Sequence, residues 1–278
     1  MNIIQQPDML SLSMNLKNFI IGSSRQTTFT LKAGDKELVS QVYAPDENGV
    51  MEIDIHEIVH SFLSYSLKDI GEVYQQTNLV ADFTAVIDST EITFRVIRSG
   101  VDRLTDSATN FLTQNFLTWQ PNVKPVTYYS PEFLTYYAVV AGTVKLRAYF
   151  TDESGTVKSQ TDYTVTELMP GIAYTMPLQY SVVAGWLEHK LPAYYDVWVE
   201  GTSGQRLTYI QRYYAENMKS EQEQWILFEN SLGGVDTFRA YGNTVFNGEH
   251  THNIAEIDEI FSEYRVDTER KFQKILVT

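Results

Sequence analysis

The run His56-Glu57-Ile58-Val59-His60 is an H-E-x-x-H motif. Inside a helix that spacing puts two imidazoles on one face to hold zinc, with the glutamate as base for a metal-bound water. The neighbourhood argues against this chemistry. The run follows the strand-like VMEIDI (Val50 to Ile55) and falls in a first helical turn, whereas zinc peptidases hold it within a long helix. Leu63 and Ser66 stand where the extended metzincin signature needs Gly and His, and nothing around Glu72 or Glu91 marks a third ligand. His56 and His60 flank an apolar stripe of Ile55, Ile58, Val59, Phe62 and Leu63, which is how a solvated helix border reads. They remain the low-ranking metal candidates, with a zinc-dependent hydrolase as the remote alternative. A second pair, His250 and His252, would share a face if extended, but NGEHTHN reads as a polar loop. No nucleophile elbow, Walker loop or dinucleotide fingerprint is present, so the expectation is a chain without catalytic residues or cofactors, not an enzyme.

Aromatic residues offer a different chemistry. The chain holds 18 Tyr, 14 Phe and 4 Trp, and four tyrosine doublets: Tyr128-Tyr129, Tyr136-Tyr137, Tyr194-Tyr195 and Tyr213-Tyr214. Neighbours in a strand face opposite ways, so each doublet is expected to give one ring to the core and one to the other face. The interface candidates are Tyr129, Tyr137, Tyr195, Tyr214 and Trp225, though the pattern does not say which ring of a doublet faces out. Such rings anchor protein interfaces, the commoner use, or stack on sugars.

The 278 residues suffice for two domains with real cores. The absence of Cys excludes disulfides, thiolate metal sites and a cysteine nucleophile. A formal net charge of −14 has the wrong sign for a phosphate-backbone partner, so nucleic acid is not expected. No segment is apolar enough to span a bilayer, and MNIIQQPDMLSLSMNLKNFII lacks the basic and apolar regions of an export signal.

The elements that must position these residues read as strands. LSLSMNLKNFI (Leu10 to Ile20) alternates with period 2, TFTLKA and ELVSQVYA flank the Gly34-Asp35 turn, and VMEIDI precedes a helix near 55–66 with Asp54 as N-cap. NLVADFTAVID and EITFRVI close an N-terminal β-sandwich-like domain over 1–100. Residues 101–130 read as a connector. Over 131–215, strand signals at regular spacing, among them YTMPLQYSVV and LTYIQRYY, predict a second sandwich. From 216 to 278 we expect a C-terminal β extension that packs on the second domain or on a partner. Its tail EIDEIFSEYRVDTERKFQKI admits a charged helix or two strands; Tyr264, Val266, Phe272, Ile275 and Val277 favour strands.

Leu168-Met169-Pro170-Gly171-Ile172-Ala173-Tyr174 resembles the L-x-P-G-x-x-Y segment before strand F of fibronectin type III domains. The resemblance implies a structural tyrosine corner at Tyr174; an ordinary turn followed by a half-buried Tyr is the competing reading. Longer stretches carry a second likeness: Gly100 to Ala138, Tyr195 to Tyr214, Phe228 to Gly242 and PDENGVMEIDIHEIV. They resemble structural proteins of phage and prophage tail modules from Bacteroides-type gut bacteria. That resemblance implies a mainly β virion protein of the tail or baseplate, with tandem immunoglobulin- or fibronectin III-like sandwiches and one short amphipathic helix. It implies homo-oligomers, other tail proteins as partners and assembly in the host cytoplasm without membrane insertion. It also implies that the H-E-x-x-H run is not a kept feature, and it supplies no site residues to carry over. A carbohydrate-binding adhesion module taking a surface glycan is the alternative.

Overall fold

The computed structural model describes residues 1–68, 71–216, 223–241, 243–255 and 265–277. The chain is mainly β. Its first part carries β1 (Asn2–Gln5), β2 (Leu10–Leu12), a 3-10 turn (Ser13–Asn15), β3 (Phe19–Gly22), β4 (Thr27–Ala33) and β5 (Lys36–Tyr43). β6 (Val50–Ile53), α1 (His56–Phe62), β7 (Tyr74–Gln75), β8 (Val80–Ile87) and β9 (Thr90–Ile97) follow. Then come α2 (Ala108–Gln114), β10 (Val123–Val126), β11 (Phe133–Tyr137), β12 (Gly142–Thr151), β13 (Val157–Leu168), β14 (Ala173–Pro177), α3 (Tyr180–Trp186), β15 (Tyr194–Gly201) and β16 (Gln211–Ala215). The last strands are β17 (Glu223–Glu229), β18 (Val235–Tyr241), β19 (Asn243–Ala255) and β20 (Arg265–Val277). Among the described residues no helix is long and apolar enough to cross a membrane.

Two sandwiches follow one plan. The first packs a five-stranded sheet, β2-β9-β8-β4-β5, on a three-stranded one, β1-β3-β6. The second packs β10-β16-β15-β12-β13 on β11-β14-β7. In each large sheet the outermost short strand runs parallel to its neighbour, β2 to β9 and β10 to β16, while the other pairs are antiparallel. In each, a short helix, α1 or α3, follows the small-sheet strand β6 or β14 before the chain returns to the large sheet. Alternation along the strands sends every second side chain inward. The first core is built on Phe19, Phe29, Phe83 and Phe94; the second on Tyr136, Tyr195 and Tyr213 with Leu, Val and Met.

β7 ties the two together. It leaves the first half to pair with β14, and Gln76 beside it donates to Thr175 Oγ1 at 2.9 Å inside a buried group that includes Tyr65 and Thr135. A third apolar cluster, with Leu12, Leu79, Ile97, Leu112, Leu117, Tyr137 and Leu232, fills the space they share. Residues Met1–Glu216 with Leu227–Thr237 thus form one compact unit, and Asn217–Ile226 with Phe238–Thr278 a second. At Gly233 and Gly234 an added Cβ would lie 1.9 Å from the Arg98 carbonyl oxygen and 2.0 Å from that of Leu117, so only glycine fits this turn. In the second unit Arg239 pairs with Glu223, and β19 pairs with β20 from Asn243↔Val277 to Ala255↔Arg265.

Several expected elements differ. Leu10 to Ile20 is not one strand: the 3-10 turn interrupts it because Ser13 is drawn inward, its hydroxyl donating to the Ser99 carbonyl at 3.2 Å. YTMPLQYSVV ends its strand at Pro177 and turns helical, since Tyr180, Val183, Ala184 and Leu187 bury one helical face. The stretch read as a connector holds α2, capped by Ser107 through the Asn110 N–H, and β10. Of LTYIQRYY only the end is a strand, β16, while the Leu207 N–H donates to the Val199 carbonyl outside any strand of its own. His250 and His252 lie in β19 opposite Arg270 and Thr268, not in a loop. Val266, Phe272, Ile275 and Val277 belong to β20, while Tyr264 lies outside the described residues.

Candidate functional site

α1 begins at His56 directly after Ile55, and Asp54 Oδ1 accepts from the His56 N–H at 2.9 Å, so Asp54 caps from one position earlier than an N-cap residue. The His56 and His60 rings lie parallel, 6.0 Å apart. His60 Nδ1 is engaged with the Ser13 hydroxyl at 2.9 Å, a bond that ties α1 to the 3-10 turn. Burial, then the Arg98 guanidinium and His56, hold the His60 imidazole below its ordinary pKa. Arg98 in turn donates to the Leu63 carbonyl at 3.0 Å, ordering the end of α1. Among the described residues no group of three His, Asp or Glu side chains stands where a metal ion could be held. The structure thus puts His60 to work as a helix anchor.

The doublets divide differently from expectation. Tyr129 is 73% exposed and Tyr214 38%, both outward. Tyr137 and Tyr195 are corrections: at 2% and 0% exposure neither reaches a surface. Both rings of Tyr136-Tyr137 are buried because β11 faces the large sheet on one side and the shared cluster on the other. In Tyr194-Tyr195 the inward ring is Tyr195, whose hydroxyl donates to the Leu178 carbonyl at 2.6 Å, and Tyr194 is outward. Trp225, on β17 in the second unit, is half-buried. Tyr174 is buried, and its hydroxyl accepts from the Met169 N–H at 3.1 Å, pinning the Pro170-Gly171 turn.

The sequence did not single out the surface that β-sheet register assembles on the second sandwich. Tyr149 lies opposite Tyr194, which lies opposite Tyr214, which lies opposite Pro125. The next row along the same outer face reads Asp162, Arg147, Asp196, Arg212. Arg147 holds Asp162 through bonds of 2.5 and 2.7 Å, and Arg212 holds Asp196 through bonds of 2.6 and 2.7 Å, both bidentate. Hydrogen bonding from Arg147 keeps the Asp162 carboxyl below the usual range. One row further, Lys145 lies opposite Trp198, with the Arg147 guanidinium 5.6 Å from the indole. Tyr149 and Tyr194 stack at 4.4 Å, and Arg212 sits 4.5 Å from the Tyr194 ring. Alternation within single strands hints at each ring, but only the register lines them up.

Beneath this sheet lies a buried charge pair. Lys124 Nζ donates to Glu132 Oε2 and to the Thr237 carbonyl, both at 2.8 Å. The two side chains are 12% and 2% exposed. Burial pushes the Glu132 carboxyl up to about 7 against the opposing pull of Lys124. Asp236, whose charge adds to that rise, accepts from Thr118 and from the Trp119 N–H. These bonds hold the 227–237 segment to the sandwich. No family model matches the chain, and no curated protein does.

Proposed function

We propose that this chain is a non-enzymatic structural protein of a virion tail or baseplate, acting through protein–protein interfaces and assembling with copies of itself and other tail proteins. One observation carries the reading. β19 and β20 are thirteen residues each and, among the described residues, pair only with one another. A two-stranded ribbon is marginal by itself in water, and its free edges are templates for further strands. A neighbouring subunit supplies what it lacks. Outward Tyr129, 73% exposed, suits such contacts, and the tail-module resemblance of the sequence gives it a setting in the virion.

The finer fold reading is a tandem of immunoglobulin- or fibronectin III-like domains. Two features support it: the shared strand order of the large sheets, and the parallel edge strand beside the last strand of each. On that plan β15 holds the place of strand F, so Tyr174 makes a corner-type bond one strand earlier than the resemblance implied.

Light scattering coupled to size exclusion, run on the full chain over a wide concentration range, tests the assembly reading. A closed oligomer such as a trimer or hexamer is expected. Phe272→Pro, which removes a ladder N–H within β20, should dissociate it without altering the melting of the compact unit. A monomer at every concentration overturns the reading.

A further inference from the structure

We propose that the outer face of the β10-β16-β15-β12-β13 sheet binds a neutral, linear glycan chain laid across the strands along Tyr149, Tyr194 and Tyr214. This goes beyond the assembly reading and does not depend on it. The three rings sit in one register row on adjacent strands about 4.8 Å apart. That strand spacing is close to the rise per residue of an extended pyranose chain, and because Tyr149 and Tyr194 are stacked on one another the sugars meet ring edges and hydroxyls rather than ring faces. The Tyr149–Tyr194 stack and the Arg212 guanidinium hold the rings in place, so little side-chain freedom remains to be lost on binding.

Beside the row, the exposed Arg147–Asp162 pair offers donors and acceptors together while its charges cancel, which fits hydroxyl groups rather than an ion; in the Arg212–Asp196 pair only the guanidinium reaches the surface. A groove of about 260 Å³ lined by Lys145, Arg147, Asp162, Thr164, Trp198 and Glu200 adjoins them and has room for a sugar ring. A protein partner fits less well, because the core of a protein interface is depleted of Lys, Asp and Glu, and here they stand among the aromatic residues. Nor does the fold require the rings. The corresponding face of the first sandwich presents Thr30 opposite Ser40 and Thr84 opposite Thr93, with no aromatic side chain.

The test is calorimetric titration of the full chain with cellohexaose, xylohexaose and mannohexaose, and with hexagalacturonate as the acidic control. At least one neutral hexasaccharide should bind saturably. Tyr214→Ala, at an already exposed ring, and Tyr194→Ala, at the middle of the row, should each weaken it about tenfold, with the melting temperature monitoring the fold. Thr84→Ala on the first sandwich should leave binding unchanged. The proposal is overturned if no neutral probe binds, if only hexagalacturonate binds, or if both aromatic variants bind as well as the parent chain. It is also overturned if Tyr214→Ala changes the oligomeric mass and no glycan binds, which makes the face a protein interface.

Discussion

The two sandwiches share the strand order of their large sheets and differ in what fills and covers them. The first has phenyl rings inside, Phe19 and Phe29 at 5.3 Å and Phe83 and Phe94 at 6.0 Å, and hydroxyl-bearing Thr and Ser beside one Arg95–Asp82 pair outside, with no aromatic ring among them. The second has phenols and an ion pair inside, and aromatic rings with paired charges outside. Strand order is therefore no guide to function here. A phenyl core needs only burial, whereas a buried phenol or charge is costly wherever it lacks a partner, as the Tyr213 hydroxyl does. The second sandwich is accordingly the more specified and the more easily damaged, and its outer aromatic face is an addition that its twin does without.

The largest break in the comparison should come from Lys124→Met. It leaves Glu132 buried without its cation and should cost about 3–5 kcal/mol in urea denaturation; an unchanged midpoint would show the pair to be dispensable. Next, Tyr195→Phe orphans the buried Leu178 carbonyl and should cost about 1–3 kcal/mol. Tyr213→Phe, which removes a buried hydroxyl that has no hydrogen-bond partner, should be neutral or stabilising. Equal losses from the two would refute the hydrogen-bond assignment. Tyr174→Phe should cost about 1 kcal/mol by freeing the Met169 N–H, seen as a lower thermal midpoint.

The pH response separates the sandwiches by sign. His60 sits below its ordinary 6.5 when folded, so its contribution is present above that pH and is lost as pH falls through the window beneath it. Glu132 rises from 4.5 to about 7, so its contribution is present below 4.5 and is lost as pH rises towards 7. Melting temperatures at pH 5.5 and 7.5 should therefore shift in opposite directions for His60→Gln and Glu132→Gln. A shift in the same direction for both would contradict the assignment.

Much of the β content was legible because alternation needs no partner to be seen: β4, β8, β9 and β12 follow their apolar periods, and the Gly34-Asp35 turn lies where its positive φ of 57° demands. α3 was not, since Tyr180, Val182 and Val183 are β formers and only packing against the second core favours the helical period. The H-E-x-x-H run was visible as a pattern, but its meaning was not. His60 is committed by Ser13, forty-seven residues away. The outward members of the doublets were half predicted, because alternation does not say which ring faces out. In addition, β11 is covered on both faces, so that Tyr136 and Tyr137 are both buried, and Tyr128-Tyr129 lies in a turn with both rings exposed.

What the sequence by itself determined is the β class, the turns and the amphipathic helix at 56–62, all of which depend on neighbours a few residues apart. Tertiary structure alone decided three things: the matching strand order of the two large sheets, the partner that holds His60, and the row that brings Tyr149, Tyr194 and Tyr214 together. These rest on register and packing between residues far apart in the chain, and a one-residue slip in register, which no local pattern forbids outright, would turn the same rings to the opposite face.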